Sequence, residues 1–336
     1  MRLVLEMNEE RPPRVAIGMP LFNAERYLEE TLNSILAQTY RDFTLIISDN
    51  ASTDSTEQIC RRRAAEDTRI SYSRNDRNMG ATFNFNRVFA LSQSEYFKHA
   101  AYDDLLAPTY LERLVEMLDR EQNVVLAFPI CQPIHDDGQP NSTAPRLSEL
   151  NLRQKTPHER LRRYIPGGGA ERMCDPVFGV FRSAALRQTQ VIGNYISSDA
   201  ILLGEIALYG ELAQVPETLF FERYHVKGSV LGSPTLDDRY AWFDPNLRGR
   251  WTNRLFAWRW LIELIKAIDR APLDVAEKLR CYGTLYFFIR KNRRDLVLNL
   301  IRAFKLLVKP TAVRIFGPGA FARWRAQAPA LSEADP

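Results

Sequence analysis

Short apolar runs alternate with amphipathic segments along the first 130 residues. Five runs predict strands, at residues 14–20, 43–50, 70–73, 95–100 and 124–129. The segments between them carry apolar residues at helical spacing, and Asn23 is a candidate N-cap for the first helix. Strands that alternate with helices predict a parallel, doubly wound sheet, in which ligands bind at the carboxyl ends of the strands.

The pattern changes after the fifth strand. Residues 131–176 are polar and rich in Pro and Gly, which predicts long loops over the site. A helix at 197–210 and a strand and turn at 218–228 follow, and from Trp251 onward the sequence is helical and basic. We therefore expect an α/β domain over residues 1–235 and a basic, mainly helical region over 236–336.

Composition is that of a globular protein, but charge is uneven along the chain. Hydrophobic residues make up 45% and charged residues 26% of the 336 positions. Residues 241–336 hold 18 Lys and Arg against 8 Asp and Glu, a balance of +10, so residues 1–240 carry −6 of the net +4. A basic tail suggests an anionic partner. Without a recognisable nucleic-acid reader motif we expect no nucleic acid, which leaves an anionic membrane surface.

The cysteines and the N-terminus bear on location. The four cysteines are far apart and form no C-x-x-C pair, which argues against a zinc site and a disulfide framework. The N-terminus does not resemble a signal peptide, and no apolar run reaches the ~18–20 residues that span a bilayer. We expect a cytoplasmic protein, free or peripheral on the inner face of the membrane.

Polar residues follow three of the predicted strands and should meet at one edge of the sheet. They include Asn23 after the first strand, Asp49 after the second, and adjacent Asp103 and Asp104 after the fourth. Two neighbouring carboxylates repel each other unless a cation or specific hydrogen bonds stabilise them. No G-x-G-x-x-G follows the first strand, so a Rossmann dinucleotide site is not expected.

The motifs resemble a known family. The segment VAIGMPLFNAERYLEETLNSILAQTYRDFTLIISDNASTDST, followed by RNMGATFNFN and HAAYDDLLAP, resembles the nucleotide-sugar-binding half of family 2 glycosyltransferases over residues 14–230. The resemblance implies a GT-A α/β fold, with a doubly wound, mostly parallel sheet, here followed by a C-terminal helical extension. It also implies nucleotide-binding roles for residues after strands one, two and four and in the Asn-x-Gly element: Pro20, Phe22, Asn23, Asp49, Asn78, Gly80, Tyr102 and Asp103.

The family's Asp-x-Asp element has Ala101 in place of its first Asp. The resemblance implies that Asp103, with Asp104 and His225, lies at a divalent cation, Mg²⁺ or Mn²⁺, that bridges the diphosphate. One missing carboxylate does not exclude the ion, because such cations take one or two carboxylates together with phosphates and waters. From the residues alone, Asp103 could instead cap the helix near Pro108, Asp104 could be solvated and His225 could be structural.

The family's catalytic base, usually written Glu-Asp at the start of a helix, matches Asp199, with Ser198 in place of the Glu. A carboxylate there can accept the proton of the acceptor hydroxyl. The alternative is that Asp199 only caps this helix, with Glu205 as the reserve base. Arg223 and Lys227 could face the diphosphate, but each by itself is expected to be a solvated surface charge.

The resemblance predicts an inverting glycosyltransferase that moves a sugar from a nucleotide sugar, usually a uracil nucleotide, to a glycan or lipid-linked acceptor in cell-surface polysaccharide assembly. A sugar-phosphate nucleotidyltransferase is the first alternative, although the first strand is not followed by a glycine-rich basic loop. A catalytically inactive binding subunit is the second, since Ala101 and Ser198 depart from the family pattern. The sequence does not decide whether the protein forms a homo-oligomer.

A helix at residues 293–309 is predicted to be amphipathic. Its polar residues fall on one narrow stripe, which comprises Asp295, Asn299, Arg302, Lys305 and Lys309. The wide apolar face and the nearby basic residues suit the surface of an anionic membrane. The alternative is that this face packs on the catalytic domain or on a second subunit.

Overall fold

One mixed sheet organises the chain. The computed structural model describes residues 11–143, 150–165, 175–225 and 235–327, and in these ranges the sheet has eight strands. The strands are β1 (Val15–Leu21), β2 (Phe43–Asp49), β3 (Ile70–Arg74), β4 (Tyr96–His99), β5 (Leu105–Leu106), β6 (Val124–Ile134), β7 (Val180–Arg182) and β8 (Glu211–Arg223). The five strands expected in the first 130 residues are confirmed.

The strand order is β3-β2-β1-β4-β7-β6-β8-β5. Parallel pairing joins β1 to β2 and β4, β2 to β3, and β6 to β8, whereas β7 runs antiparallel to β4 and β6, and β5 to β8. Leu21 lies opposite Asp49, and Gly18 lies opposite His99. The ends of β1, β2 and β4 therefore meet at one edge, as the alternating pattern predicted.

Helices cover both faces of this sheet. They are α1 (Leu28–Leu36), α2 (Thr56–Glu66), α3 (Ala81–Ala90), α4 (Tyr110–Arg120), α5 (Pro157–Tyr164), α6 (Ser183–Leu186), α7 (Ser198–Ile206), α8 (Leu236–Phe243), α9 (Phe256–Arg270) and α10 (Val275–Gln327). The prediction that Asn23 caps the first helix is wrong, because α1 begins five residues later, at Leu28. Short 3₁₀ helices lie at Asp175–Phe178, Pro245–Leu247 and Trp251–Leu255.

Two hydrophobic cores lie on opposite faces of the sheet. One is formed with α1, α2 and α4, whose buried residues include Leu32, Cys60 and Leu114. The other is formed with α3, α7, α9 and α10, to which Val88 and Ile201 belong. Burying this apolar surface is the main favourable contribution to folding, about 25 cal/mol for each Å² removed from water.

The C-terminal helices α9 and α10 share the second core with the catalytic region. Leu261 and Leu264 of α9 belong to the same cluster as Tyr164 of α5. The Trp258 indole donates to the carbonyl of Leu296 at 3.0 Å, which joins α9 to α10. Across the described ranges, the helices do not combine the length and apolar content that a bilayer-crossing segment requires.

Candidate functional site

The loops after β1 and β2 have an unusual backbone conformation and are joined by hydrogen bonds. Asn23 and Ala51 have φ values of 52° and 63°, in the left-handed region that Asn tolerates better than Ala. The Asn23 side-chain carbonyl accepts from the Thr53 N–H at 2.9 Å, and the Asn23 N–H donates to the Ser52 hydroxyl at 2.9 Å. Asn23 therefore shapes the loops at the sheet edge instead of capping a helix.

Asp49 at the end of β2 is fully buried and holds this edge together. Its Oδ1 accepts from the N–H and the hydroxyl of Ser52, at 2.9 and 2.6 Å. Its Oδ2 accepts from the Tyr72 hydroxyl at 2.9 Å, and the Arg74 Nε lies 3.5 Å away. Burial and the Asp49 carboxylate raise the pKa of Tyr72, which keeps the phenol as a donor. Phe22, with 43% of its surface exposed, lies in the loop that follows β1.

A network of asparagine side chains supports the same edge. Asn50 donates to the Asn78 side-chain carbonyl at 2.8 Å and accepts from the Met79 N–H at 2.9 Å. Asn75 donates to Asn50 at 3.1 Å and to Asn84 at 3.3 Å. The structure thus joins the expected Asn78 to three asparagines that the sequence analysis missed. Asn50 and Asn75 directly follow β2 and β3, whereas Asn84 lies on α3.

Gly80 explains why the Asn-x-Gly element needs a glycine. Its φ is 87°, and an added Cβ would lie 2.3 Å from the Phe243 carbonyl oxygen. The N-terminus of α3 is therefore packed against the end of α8. Asn194 donates to the Asp244 carboxylate at 3.1 Å, so the segment before α7 also contacts this end of α8.

The adjacent carboxylates Asp103 and Asp104 point into different surroundings. Oδ2 of Asp103 lies 2.8 Å from Nε2 of His225. Asp104 is buried, and its Oδ1 accepts from the Arg223 N–H at 3.0 Å. Burial, followed by the charges of Asp103 and Glu222, raises the pKa of Asp104 well above its usual range. The two neighbouring carboxylates, Asp103 and Asp104, are therefore stabilised by separate hydrogen-bond partners.

The capping alternative for Asp103 is excluded, because α4 begins at Tyr110 with Thr109 at its N-cap. Tyr102 precedes Asp103 in the turn between β4 and β5, and its carbonyl accepts from the Thr31 hydroxyl at 2.8 Å. The turn is therefore fixed by α1 on one side and by β8 on the other.

Arg223 ties this turn to the rest of the site. Its side chain is 1% exposed, so the expectation of a solvated surface charge is wrong; Lys227 lies outside the described residues. The guanidinium donates to the carbonyls of Asp103 at 2.9 Å and Asp136 at 2.7 Å, and to the Glu30 carboxylate at 2.7 Å. Arg223 thereby holds the turn between β4 and β5 against α1. In the sequence, only its two-residue spacing from His225 could have suggested this role.

His225 is held between Asp103 and Tyr27. The rings of His225 and Tyr27 lie 4.8 Å apart between centroids, and the Tyr27 hydroxyl donates to the Asp136 carboxylate. Nδ1 of His225 is buried and has no hydrogen-bond partner among the described residues. If Nε2 carries the proton toward Asp103, Nδ1 presents a free lone pair.

Two of the residues expected at the metal lie close together. The described residues contain no cluster of three or more His, Cys, Asp or Glu arranged for a metal, so protein ligands alone would not complete a coordination shell. Oδ2 of Asp103 and Nε2 of His225 are as close as two neighbouring ligands of one ion, so they could supply two ligands, with the others from phosphate oxygens and water. Asp104 is engaged with Arg223 instead, and its expected role as a ligand stays a prediction.

Asp199 lies in the first turn of α7, after Ser197, whose φ of 62° is left-handed. Its side chain is half-buried, and Oδ1 accepts from the Ala200 N–H at 2.9 Å. The N-cap position belongs to Ser197, so Asp199 is not the cap. Glu205 is fully buried and accepts two bonds from Arg270, at 2.8 and 3.0 Å, which is incompatible with the reserve base role.

A buried lysine beneath the site escaped the sequence analysis. Lys98 of β4 is 1% exposed, and its ammonium group donates to the His99 carbonyl at 2.8 Å. The rings of Tyr110, Phe220 and Phe178 surround it, with centroids at 5.1, 5.5 and 5.9 Å. Burial lowers the pKa of Lys98 to about 7, although the charge of Asp104 opposes this.

The family model for Glycosyl transferase family 2 matches residues 16–189, just over half of the chain. The chain belongs to glycosyl transferase family 2. The match includes β1 to β7 and the loops at the sheet edge, but ends before Asp199 and His225. The expected family membership is confirmed.

Named relatives match part of this chain. The putative glycosyltransferase EpsE of Bacillus subtilis (strain 168) is 34% identical over 112 residues, 33% of this chain and 40% of that protein. The putative teichuronic acid biosynthesis glycosyltransferase TuaG of the same organism is 30% identical over 128 residues, 38% of this chain and 50% of that protein. The chain thus spans half or less of the length of each of these two relatives.

Solved structures confirm the expected GT-A fold. Residues 1–349 of S. aureus TarS in complex with UDP superpose with a TM-score of 0.55 at 14% identity, covering 82% of this chain and 72% of that chain. The same protein in complex with UDP-GlcNAc gives a TM-score of 0.51 at 15% identity, covering 82% and 81%. At this identity the likeness concerns the fold alone.

Proposed function

We propose that this protein is an inverting glycosyltransferase that transfers a sugar from a UDP-linked donor to a hydroxyl of a glycan or lipid-linked acceptor. The contact between Asp103 and His225 carries the proposal, because it places a carboxylate and an imidazole nitrogen side by side next to the edge formed by β1, β2 and β4. Family membership and the UDP complexes of TarS support a uracil nucleotide. The name of TuaG supports a role in cell-surface polysaccharide assembly.

Each part of the donor would meet different residues. The loops of Pro20, Phe22, Asn23 and Asp49 would hold the nucleoside, with Asn78 and Gly80 on its other side. Tyr102 and Asp103 would lie at the ribose and diphosphate. A divalent cation, Mg²⁺ or Mn²⁺, held by Asp103 and His225 would neutralise charge on the leaving diphosphate.

Asp199 would act on the acceptor. Its carboxylate accepts the proton of the acceptor hydroxyl as that oxygen attacks the anomeric carbon. The bond from the anomeric carbon to the diphosphate oxygen breaks, its electron pair leaves with the nucleoside diphosphate, and the configuration inverts. The half-buried position of Asp199 in the first turn of α7 suits this role, because helix N-termini stabilise a carboxylate.

The test is calorimetric titration of the full chain with UDP and GDP, each with and without Mn²⁺, followed by assays of donor hydrolysis and of transfer to glycan acceptors. We expect UDP to bind at least tenfold more tightly with Mn²⁺ and UDP-sugar turnover to require the ion. Equal affinity for both nucleotides would contradict the uracil assignment. Absence of binding to either would contradict the proposed function.

An inactive binding subunit is the second candidate, because Ala101 removes one carboxylate and Asp104 is engaged with Arg223. It predicts UDP binding without turnover of any nucleotide sugar. A sugar-phosphate nucleotidyltransferase would instead release pyrophosphate from a nucleoside triphosphate. An added assay of pyrophosphate release from UTP and a sugar phosphate therefore lets the series separate the three candidates.

A further inference from the structure

Helix α10 has two apolar faces, and the catalytic region covers only one of them. Residues that recur at helical spacing and face the second core are buried, among them Cys281, Leu285 and Leu296. A second row, turned by about a third of the circumference, is exposed. It comprises Val275 (75% exposed), Leu279 (63%), Tyr286 (60%), Ile289 (39%), Val297 (54%), Leu300 (45%) and Ile301 (40%). We call this row the outer face of α10.

The observed faces differ from the predicted ones. Asn299, expected in the polar stripe, is 3% exposed, so that stripe does not face solvent as a unit. The apolar residues around it divide between the core and the outer face. The predicted residues Arg302, Lys305 and Lys309 lie outside the described side chains.

The outer face is long and continues onto α9. From Val275 to Ile301 it extends over ~39 Å at 1.5 Å per residue. The Tyr282 hydroxyl donates to Asp269 of α9, which brings the two helices together at this side. Ile262 and Ile265, two turns and one turn before Asp269, are 44% and 37% exposed. Large exposed apolar patches on soluble proteins mark sites of interaction.

Basic side chains are interspersed with the outer face. Arg290 and Arg293 are exposed and fall within the row by helical spacing, and Arg294 is exposed at its margin. Asp295 is the one acidic residue between 287 and 301, and at 100° per residue it points away from Tyr286. The face therefore combines apolar and aromatic side chains with positive charge.

We propose that the outer face of α10 lies in the interface of an anionic membrane, with its apolar residues among the acyl chains and its arginines at the headgroups. Amphipathic helices of this composition bind at that depth. A second copy of the chain is a poorer occupant, because a two-fold contact centred on this face would bring Arg290 and Arg293 close to the arginines of the other copy. The proposal needs no donor, acceptor or catalytic activity.

The experiment is co-sedimentation of the full chain with vesicles of phosphatidylcholine alone or with 30% phosphatidylglycerol, at low salt. We expect most of the protein to sediment with the anionic vesicles and little with the neutral ones. The double substitution Leu279→Ser with Tyr286→Ser should lower the bound fraction at least fivefold. Leu91→Ser with Ile130→Ser, at residues 49% and 39% exposed on other elements, is the matched control and should bind as the parent does.

A charge-reversal variant separates the electrostatic contribution to membrane binding from the apolar contribution. Arg290→Glu with Arg293→Glu should abolish the preference for anionic vesicles, and circular dichroism should show that each variant remains folded. Failure of the parent to sediment, or equal binding by the parent and the Leu279/Tyr286 variant, would overturn the proposal. A dimer in analytical ultracentrifugation that the Leu279/Tyr286 variant dissociates would overturn it in favour of a second copy.

Discussion

Oδ2 of Asp103 and Nε2 of His225 lie 2.8 Å apart, although 122 positions separate the two residues in sequence. Asp103 follows β4 and His225 follows β8, so the contact depends on how the two halves of the sheet are joined. Arg223 connects the two halves, because its guanidinium donates to the Asp103 carbonyl and its backbone N–H donates to the Asp104 carboxylate. The candidate metal site therefore forms only once β8 is in place.

The different surroundings of Asp103 and Asp104 predict different effects of the same substitution. Asp103→Asn removes the charge that faces Nε2 of His225, so Mn²⁺-dependent UDP affinity should fall at least tenfold. Asp104→Asn keeps an acceptor for the Arg223 N–H and removes no charge that faces a ligand, so affinity should stay within about threefold. Calorimetric titration with and without Mn²⁺ measures both. Equal losses would place Asp104 at the ion after all.

The sheet was predictable because its signals are local. β1 and β2 are short, almost continuous apolar runs before a helix, and parallel strands of this kind end at one sheet edge whatever the later chain does. The short strand β7 and the dipeptide β5 were not predictable, because they have too few residues to show a period. They become strands through pairing with β4, β6 and β8.

The positions of the candidate site residues in the fold were predictable, but their contacts were less so. Asn23, Asp49 and Asp103 all lie at the expected edge. The sequence could not show that Asp49 is saturated by Ser52 and Tyr72 or that Arg223 is buried, because these are long-range pairings. Glu205 failed as a reserve base for the same reason: its partner Arg270 lies 65 positions later on α9.

Asp199 and Glu205 lie on the same helix, but amide substitution should lower activity at Asp199 and stability at Glu205. Asp199→Asn should lower transfer by ~10²–10⁴ with UDP affinity unchanged, the range expected for loss of a general base. Glu205→Gln leaves Arg270 without its charged partner and should lower the free energy of unfolding by about 3 kcal/mol. Steady-state kinetics and urea unfolding measure the two effects. Near-parental activity of the Asp199 variant would leave Asp199 without a catalytic role.

Ala51 is held in a left-handed conformation that a glycine adopts without strain. Ala51→Gly should therefore raise the free energy of unfolding by about 0.5–1 kcal/mol, since the relieved strain of ~1–2 kcal/mol exceeds the added flexibility of the unfolded chain. Ala65→Gly, at an exposed position in α2, is the control and should lower stability by about 1 kcal/mol. If both variants lose stability equally, the backbone at Ala51 is not strained.

Lys98 should make stability depend on pH in the neutral to alkaline range. Its folded pKa is about 7, against 10.5 for an unhindered lysine, because burial disfavours the charged form. Between these values the unfolded chain holds a proton that the folded chain does not. The free energy of unfolding should therefore rise with pH from about 7 to 10, and below pH 7 the full cost of burying the ammonium group persists.

Lys98→Met removes the titrating group and fills the same aromatic surroundings with an apolar chain. The variant should exceed the parent in stability by about 2–4 kcal/mol at pH 7, somewhat less than the ~5 kcal/mol that the full pKa difference represents, because the three rings favour a cation. That lead should shrink toward zero near pH 10. Urea unfolding at pH 7, 8.5 and 10 measures it, with Lys266→Met as the control, because the Lys266 side chain is 53% exposed. A Lys98→Met variant whose difference from the parent does not change with pH would show that Lys98 keeps an ordinary pKa in the folded protein.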